Sequence, residues 1–233
     1  MDTRDRIRAD ALALCRAEET GVSIRSYGGL EIPDLLMNGG YADQMWTMRR
    51  AMAPLPAIAG ARLQSRRTAV LHRDPAAEMF FVVNEHALVA LEYGRGDPRA
   101  AVTQLRSLHA FAAKRVGTVR VLHFGARLLL SPAPALTPGP GAVPVPEFVP
   151  GPAFTITTDA DGRVTAFADA PTPSRMRIVS DHARHHRRVA YYTRRFTELR
   201  DASLNHSRSL DRIYDALRRC QELAAAVDGR PAP

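Results

Sequence analysis

The sequence predicts an α+β fold, helices packed around a small, mainly antiparallel sheet, with a helical C-terminal third. Three observations carry this. Strand-like runs are few and short: EMFFVVN at 78–84, TVRVLHF at 118–124, and the pair AFTITT and RVTAFAD around DADG at 159–162. The segments between them have helical spacing without regular βαβ alternation. From about residue 184 to GRPAP the apolar positions again recur at helical intervals.

The opening stretch places Ile7, Leu12, Leu14, Cys15, Val22 and Ile24 among charges with no period of two, so the expected element is one helix running to about Tyr27, ended by Gly28 and Gly29. Pro33 suits the start of a short helix with Leu35 and Leu36, and GGY at 39–41 breaks it before a second helix through Met45, Trp46 and Met48. A helix over 57–72 precedes the strand 78–84. HALVALEY is a short helix, and a longer one begins at Pro98 behind Asp97 as cap, with Val102, Leu105, Leu108 and Ala112 on one face. Residues 131–152 hold eight prolines, too many for a helix or a central strand, so they form an extended loop that acts as a linker or a lid. Asp161 and Gly162 supply turn chemistry for the hairpin that follows.

Length and composition fit one principal domain over 1–227, with a disordered tail at 228–233. No secretory signal opens the chain and no apolar run reaches the roughly 18 residues of a membrane span, which predicts a soluble, cytoplasmic protein with no membrane partner. Cys15 and Cys220 show no metal-ligand pairing and are expected as reduced thiols.

Charge is unevenly placed. The formal net charge is +8, and every basic residue except Lys114 is arginine. Between Arg175 and Arg200 eight arginines stand against Asp181 and Glu198, so this stretch holds six of the eight net charges. On a helical wheel Val189, Tyr192, Phe196 and Leu199 fall on one side, with Arg184, Arg187, Arg188, Tyr191, Arg194 and Arg195 on the other. A solvated face explains such a run equally well, but it lacks the acidic partners that offset like charges at i,i+4. Those six residues are the candidate nucleic-acid contacts. Phosphate contact and base stacking on Tyr191 favour RNA or a single strand over duplex DNA. Four arginines on phosphates give a log-log salt slope of about −2.8.

IPDLLMN at 32–38, followed by Tyr41 and Ala42, resembles the V-P-G-L-L-Q-T and Y-A segments of a known family: the C-terminal domain, of unknown function, of actinobacterial XRE-type, antitoxin-like (Scr family) regulators. Arg62 with Leu63, FFVVNEHAL with Glu85 and Leu88, Gln104 with Leu105, VRVLHF, Phe154 in AFTI, and Tyr192, Phe196 and Leu199 continue the likeness in order over about residues 15–210. The departures are Asp34 for the glycine, Met37 and Asn38 for Gln-Thr, and Ser65 and Arg66 for the expected Arg-Gln pair. The resemblance implies a regulator-derived binding domain. Only one helix fits before Tyr27, too little for a helix-turn-helix, so the expectation is a domain without its own DNA-reading module.

For chemistry, Glu85 and His86 follow a strand directly, and the catalytic candidates are Tyr41, Glu85 and His86. Tyr41, Trp46, Arg62, Arg66, Asn84 and Glu85 are the candidate ligand-binding set. Core packing by Tyr41 and Trp46, and charge complementation of a helix start by Glu85, explain the same residues structurally. His182, His185 and His186 stand beside Asp181, but no distant ligand completes a set and the cationic surroundings oppose a divalent ion, so no metal and no cofactor is expected. No nucleotide-binding or hydrolase motif is present. Two function classes remain: a binding domain for a small-molecule ligand or small protein partner, as monomer or homodimer, with a nucleic-acid-binding helix; or a transferase using an RNA-borne substrate such as aminoacyl-tRNA, on which positioning supplies the rate.

Overall fold

The computed structural model describes residues 3–50, 66–74, 76–93, 97–114, 117–126, 151–169, 176–180 and 185–229. Helix α1 spans Thr3–Thr20, and strand β1 spans Ser23–Tyr27. The expected continuous helix is therefore two elements. Gly21 separates them: a Cβ there would lie 2.7 Å from the Ala17 carbonyl oxygen, so the chain can turn here only without a side chain. After β1, Gly28 is packed against the backbone of Glu31 and Pro33, and Gly29 has a φ of 65°. A 3₁₀ turn at Asp34–Leu36 follows, and then α2 at Gly39–Arg50, whose first turn contains the glycines expected to precede it.

Of the helix expected at 57–72, residues 66–70 are described and helical. Strand β2 is Glu78–Asn84, α3 is Glu85–Tyr93, and α4 is Pro98–Ala113, capped by Asp97 Oδ1 accepting from the Arg99 N–H. β3 covers Thr118–Leu122, two residues shorter than expected. The hairpin forms as read: β4 at Phe154–Thr158 and β5 at Val164–Asp169 join through a turn in which Gly162 has a φ of 78° and Asp159 Oδ1 accepts from the Asp161 and Arg163 N–H groups. A sixth strand, β6 at Met176–Ser180, was not foreseen; α5 at His186–Ala202 and α6 at His206–Val227 complete the helical C-terminal third. The proline-rich stretch 131–152 lies outside the described residues except for its last two, as does the tail from 230.

The fold is α+β, but the sheet is mixed. Its order is β3-β2-β1-β4-β5-β6, with β1, β2 and β3 parallel and the remaining three pairings antiparallel. Parallel pairs need crossover connections, which α3 and α4 supply between β2 and β3.

One sheet face, with Ile24, Phe81, Val83, Val119 and Val121, packs on Leu88, Leu105, Leu108, Ile213 and Leu217 from α3, α4 and α6. The opposite face, with Tyr27, Val82, Leu122, Phe154 and Ile156, packs on Val189, Phe196 and Leu199 of α5. Three layers result, and α5 alone of the described helices lies on the second face. The β3 edge is covered at Val121: the Leu204 N–H donates to the Val121 carbonyl, and the Val121 N–H donates to Ser209 Oγ.

Candidate functional site

Helix α5 is held by aromatic contacts along its inner side. Phe196 meets Phe80 edge-on at 5.6 Å between centroids, and Tyr192 leans on Phe154 at 5.1 Å. These contacts fix the rotation of the helix and so decide which arginines face outward. Arg187 and Arg194 are exposed, while Arg188 and Tyr191 are half-buried, Tyr191 standing edge-on to Tyr192. Arg195 departs from expectation: it is buried at 6% exposure. At 100° per residue it sits only about 40° from Leu199, on the flank of the inner stripe and not on the outer face. Arg184 falls outside the described residues. No acidic residue interrupts α5 before Glu198, so its first three turns carry an uncompensated cationic surface. At the other end Arg200 pairs with Asp201.

Two of the groups expected to act at the end of β2, Asn84 and Glu85, are held in structural bonds. Asn84 Oδ1 accepts from the His86 N–H at 2.9 Å, which caps α3, and its Nδ2 donates to the Tyr27 hydroxyl at 3.2 Å. Glu85 is buried; Arg212 Nε donates to Oε1 at 2.6 Å and the Phe124 N–H to Oε2 at 3.0 Å. Arg212 continues to Glu92 at 2.7 Å, which also receives Arg219 at 3.1 Å. Burial alone would raise the Glu85 carboxyl, but the Arg212 and Phe124 hydrogen bonds and the neighbouring charges outweigh it and hold it below the ordinary range. It is an ionised strut between α3, α6 and the segment that follows β3. His86 is exposed and stands edge-on to Phe124. His123, absent from the sequence-based set, places Nε2 at 3.4 Å from Glu85 while its Nδ1 accepts from the Gly125 N–H.

The IPDLLMN segment is likewise explained by structure. Met37 is buried, and Asn38 Oδ1 accepts from the Tyr41 N–H at 3.0 Å, capping α2. The fully buried Gln104 holds the segment from below, accepting from the Asn38 N–H and donating to the Leu36 carbonyl, both at 2.8 Å. Tyr41 is buried in the core at 8% exposure. Asp34 accepts from Arg67 at 2.8 Å, and Arg67 grips Glu18 with two bonds of 2.6 and 2.7 Å. Burial opposes the Arg67 charge, yet the two carboxylates outweigh it and the guanidinium stays protonated. Arg66 makes a bidentate pair with Glu19 on the surface, and Arg73 donates to the carbonyls of Glu19 and Gly21. A cavity of about 30 Å³ lies between Ser26, Asp34, Arg67, Phe154 and Thr155, room for about two waters. Trp46 is carried on α2; Arg62 falls outside the described residues.

Sequence reasoning missed Arg67, Glu92 and Arg212. Their partners were signalled: Glu18 follows Leu14 and Cys15 on the apolar side of α1, and Glu92 follows Leu88 by one turn, so each places a charge where a core residue belongs. Both cysteines are free and buried, their thiols pushed up to about 11 by burial. Among the described residues no three metal-ligating side chains cluster, and no helix is long and apolar enough to cross a membrane.

The architecture defines a three-layer α+β domain with a cationic helix covering one sheet face. The chain belongs to a family known as a domain of unknown function, DUF5753, whose model matches residues 12–215, from the second half of α1 to the middle of α6. Neither the curated proteins nor the solved structures contain a match.

Proposed function

We propose that this chain is a regulator-type binding domain, of the kind carried by actinobacterial XRE-type, antitoxin-like regulators, and that α5 is its contact with nucleic acid. The observation that supports this is the outward face of α5, where Arg187, Arg188 and Arg194 flank Tyr191 with no acidic residue on the helix before Glu198. Three charges within about 10 Å of helix length match a few phosphates. A helix seated along a sheet presents a shallow ridge, which suits RNA or a single strand better than the major groove of a duplex. A small-molecule ligand or small protein partner is the second element of the proposal, since Tyr41, Asn84 and Glu85 serve the scaffold and leave recognition to surfaces.

With Arg195 buried, three phosphate contacts give a salt slope of about −2.1 on a single strand, lower than the wheel alone suggests. Filter binding of tRNA, single-stranded oligonucleotide and duplex over a salt series measures it. No retention at low ionic strength sinks the nucleic-acid part. The transferase alternative uses the same cationic face, and incubation with charged and uncharged tRNA separates it: a binding domain leaves the aminoacyl ester intact.

A further inference from the structure

We propose that Arg25 and Arg120, with Phe80 between them, bind the phosphate chain of a small diphosphate-bearing molecule on the sheet face beside α5. This rests on the small-molecule element of the proposed function, to which it gives a place and a ligand class, and it uses none of the outward arginines of α5.

Strand register brings the three side chains together. Arg25 on β1 is paired with Phe80 on β2, and Arg120 on β3 is paired with Val82, two residues further along the same face of β2. The Arg120 side chain leans back across that offset, its Cζ 5.8 Å from the centre of the Phe80 ring. Two arginines therefore flank one aromatic ring, on strands roughly 10 Å apart across β2. The face is the one that α5 covers, and Phe80 packs edge-on against Phe196 of that helix.

Neither guanidinium has an ion-pair or hydrogen-bond partner among the described residues. The Nε of each is buried without a hydrogen bond, while both residues are only half-buried, so their outer nitrogens reach solvent. The acidic groups of the neighbourhood are placed otherwise: Asp201 is held by Arg200 at 2.8 Å, and the exposed Glu78, two residues before Phe80, pairs with neither arginine. Burial draws the Arg25 pKa below its ordinary value; the Glu78 charge opposes this and the Arg200 charge adds to it. A partly desolvated cation without an acceptor is costly, and a planar guanidinium fork matches phosphate oxygens in pairs. Two forks set apart by a ring suit two linked phosphates, each offering its own edge of oxygens, better than one carboxylate. Half-burial beside α5 favours a compact free anion over a nucleic-acid strand, which needs an open track for its backbone.

Isothermal titration of the full chain with inorganic diphosphate at low salt tests this, with orthophosphate and a single-stranded oligonucleotide as comparison ligands. The expected result is saturable binding of diphosphate at least about tenfold tighter than orthophosphate, because the second fork engages only when two phosphates are linked. Arg25→Gln and Arg120→Gln should each weaken diphosphate binding about tenfold or more, and Arg120→Lys, which keeps the charge without the fork, by an intermediate amount. The Arg187→Ala, Arg194→Ala double variant should bind diphosphate as the wild type does. Should Arg25→Gln fail to fold, Arg120→Gln and Arg120→Lys carry the test. Undiminished diphosphate binding in the glutamine variants, or an equal loss in the α5 double variant, overturns this site while leaving a small-molecule ligand elsewhere. No diphosphate binding by the wild type overturns it and leaves the nucleic-acid reading of α5 untouched. Loss of oligonucleotide binding alone in the glutamine variants also overturns it and assigns the arginine pair to nucleic acid.

Discussion

Arg67 and Arg187 are the same side chain put to opposite uses. Arg67 is buried against Glu18 and Asp34, and Arg212 bridges Glu85 and Glu92 in the same manner; Arg187 and Arg194 stand in solvent on a helix whose first acidic residue comes at Glu198. The difference teaches that arginine content says little until the acidic complement of each site is known. A guanidinium gripped by two carboxylates is structural and unavailable. One without such partners leaves its charge on the surface.

The largest expected effect breaks the first half of that contrast. Arg67→Met leaves the Glu18 carboxylate buried without its cation and should cost about 3–5 kcal/mol in urea denaturation. Adding Glu18→Gln should recover part of the loss, because the stranded charge is gone. A cost below about 1 kcal/mol would show that Arg67 is not the structural arginine described here. Glu85→Gln comes next, at about 2 kcal/mol, since it weakens a charged hydrogen bond to Arg212. Its pH dependence has a definite sign. The folded-state carboxyl lies below the ordinary 4.5, so its contribution is complete above that value and is lost as pH falls through the folded one. Stability profiles of wild type and Glu85→Gln should therefore converge in acid; parallel profiles down to the acid limb would contradict the assignment.

Smaller effects sharpen the second half. Tyr191→Ala should weaken single-strand binding by about 1 kcal/mol with no change in salt slope, because stacking releases no counterions. The Arg187→Ala, Arg194→Ala double variant should leave the unfolding midpoint unchanged and flatten the slope from about −2.1 to about −0.7. A midpoint shift would mean that these arginines have structural partners after all.

Local signals were legible in the sequence and long-range pairings were not. EMFFVVN read correctly as a strand because it is apolar, β-branched and bounded, and the 154–169 hairpin because Asp and Gly mark its turn. Strand β1 was hidden because Ile24 continues the apolar positions of α1, and the single residue that divides them, Gly21, is a modest signal. β6 lies inside the arginine-rich stretch, where Arg177 interrupts the apolar run of MRIVS and leaves a weak strand signal. The parallel half of the sheet escaped notice since its crossovers are irregular in length. At the candidate site, burial of Arg195 followed from a flank position that a two-sided wheel does not resolve. The Glu18–Arg67 and Glu85–Arg212 pairs join residues 49 and 127 positions apart, a distance no local pattern spans.

The bonds from Leu204 and Ser209 to Val121 have a consequence for assembly. They cover the outward backbone groups of Val121 with the protein's own chain, so a strand arriving at the β3 margin must displace them before it can pair there. Fibres built by strand addition need two competent margins per unit. A unit whose β3 margin is obstructed at Val121 is a poor link in such a fibre.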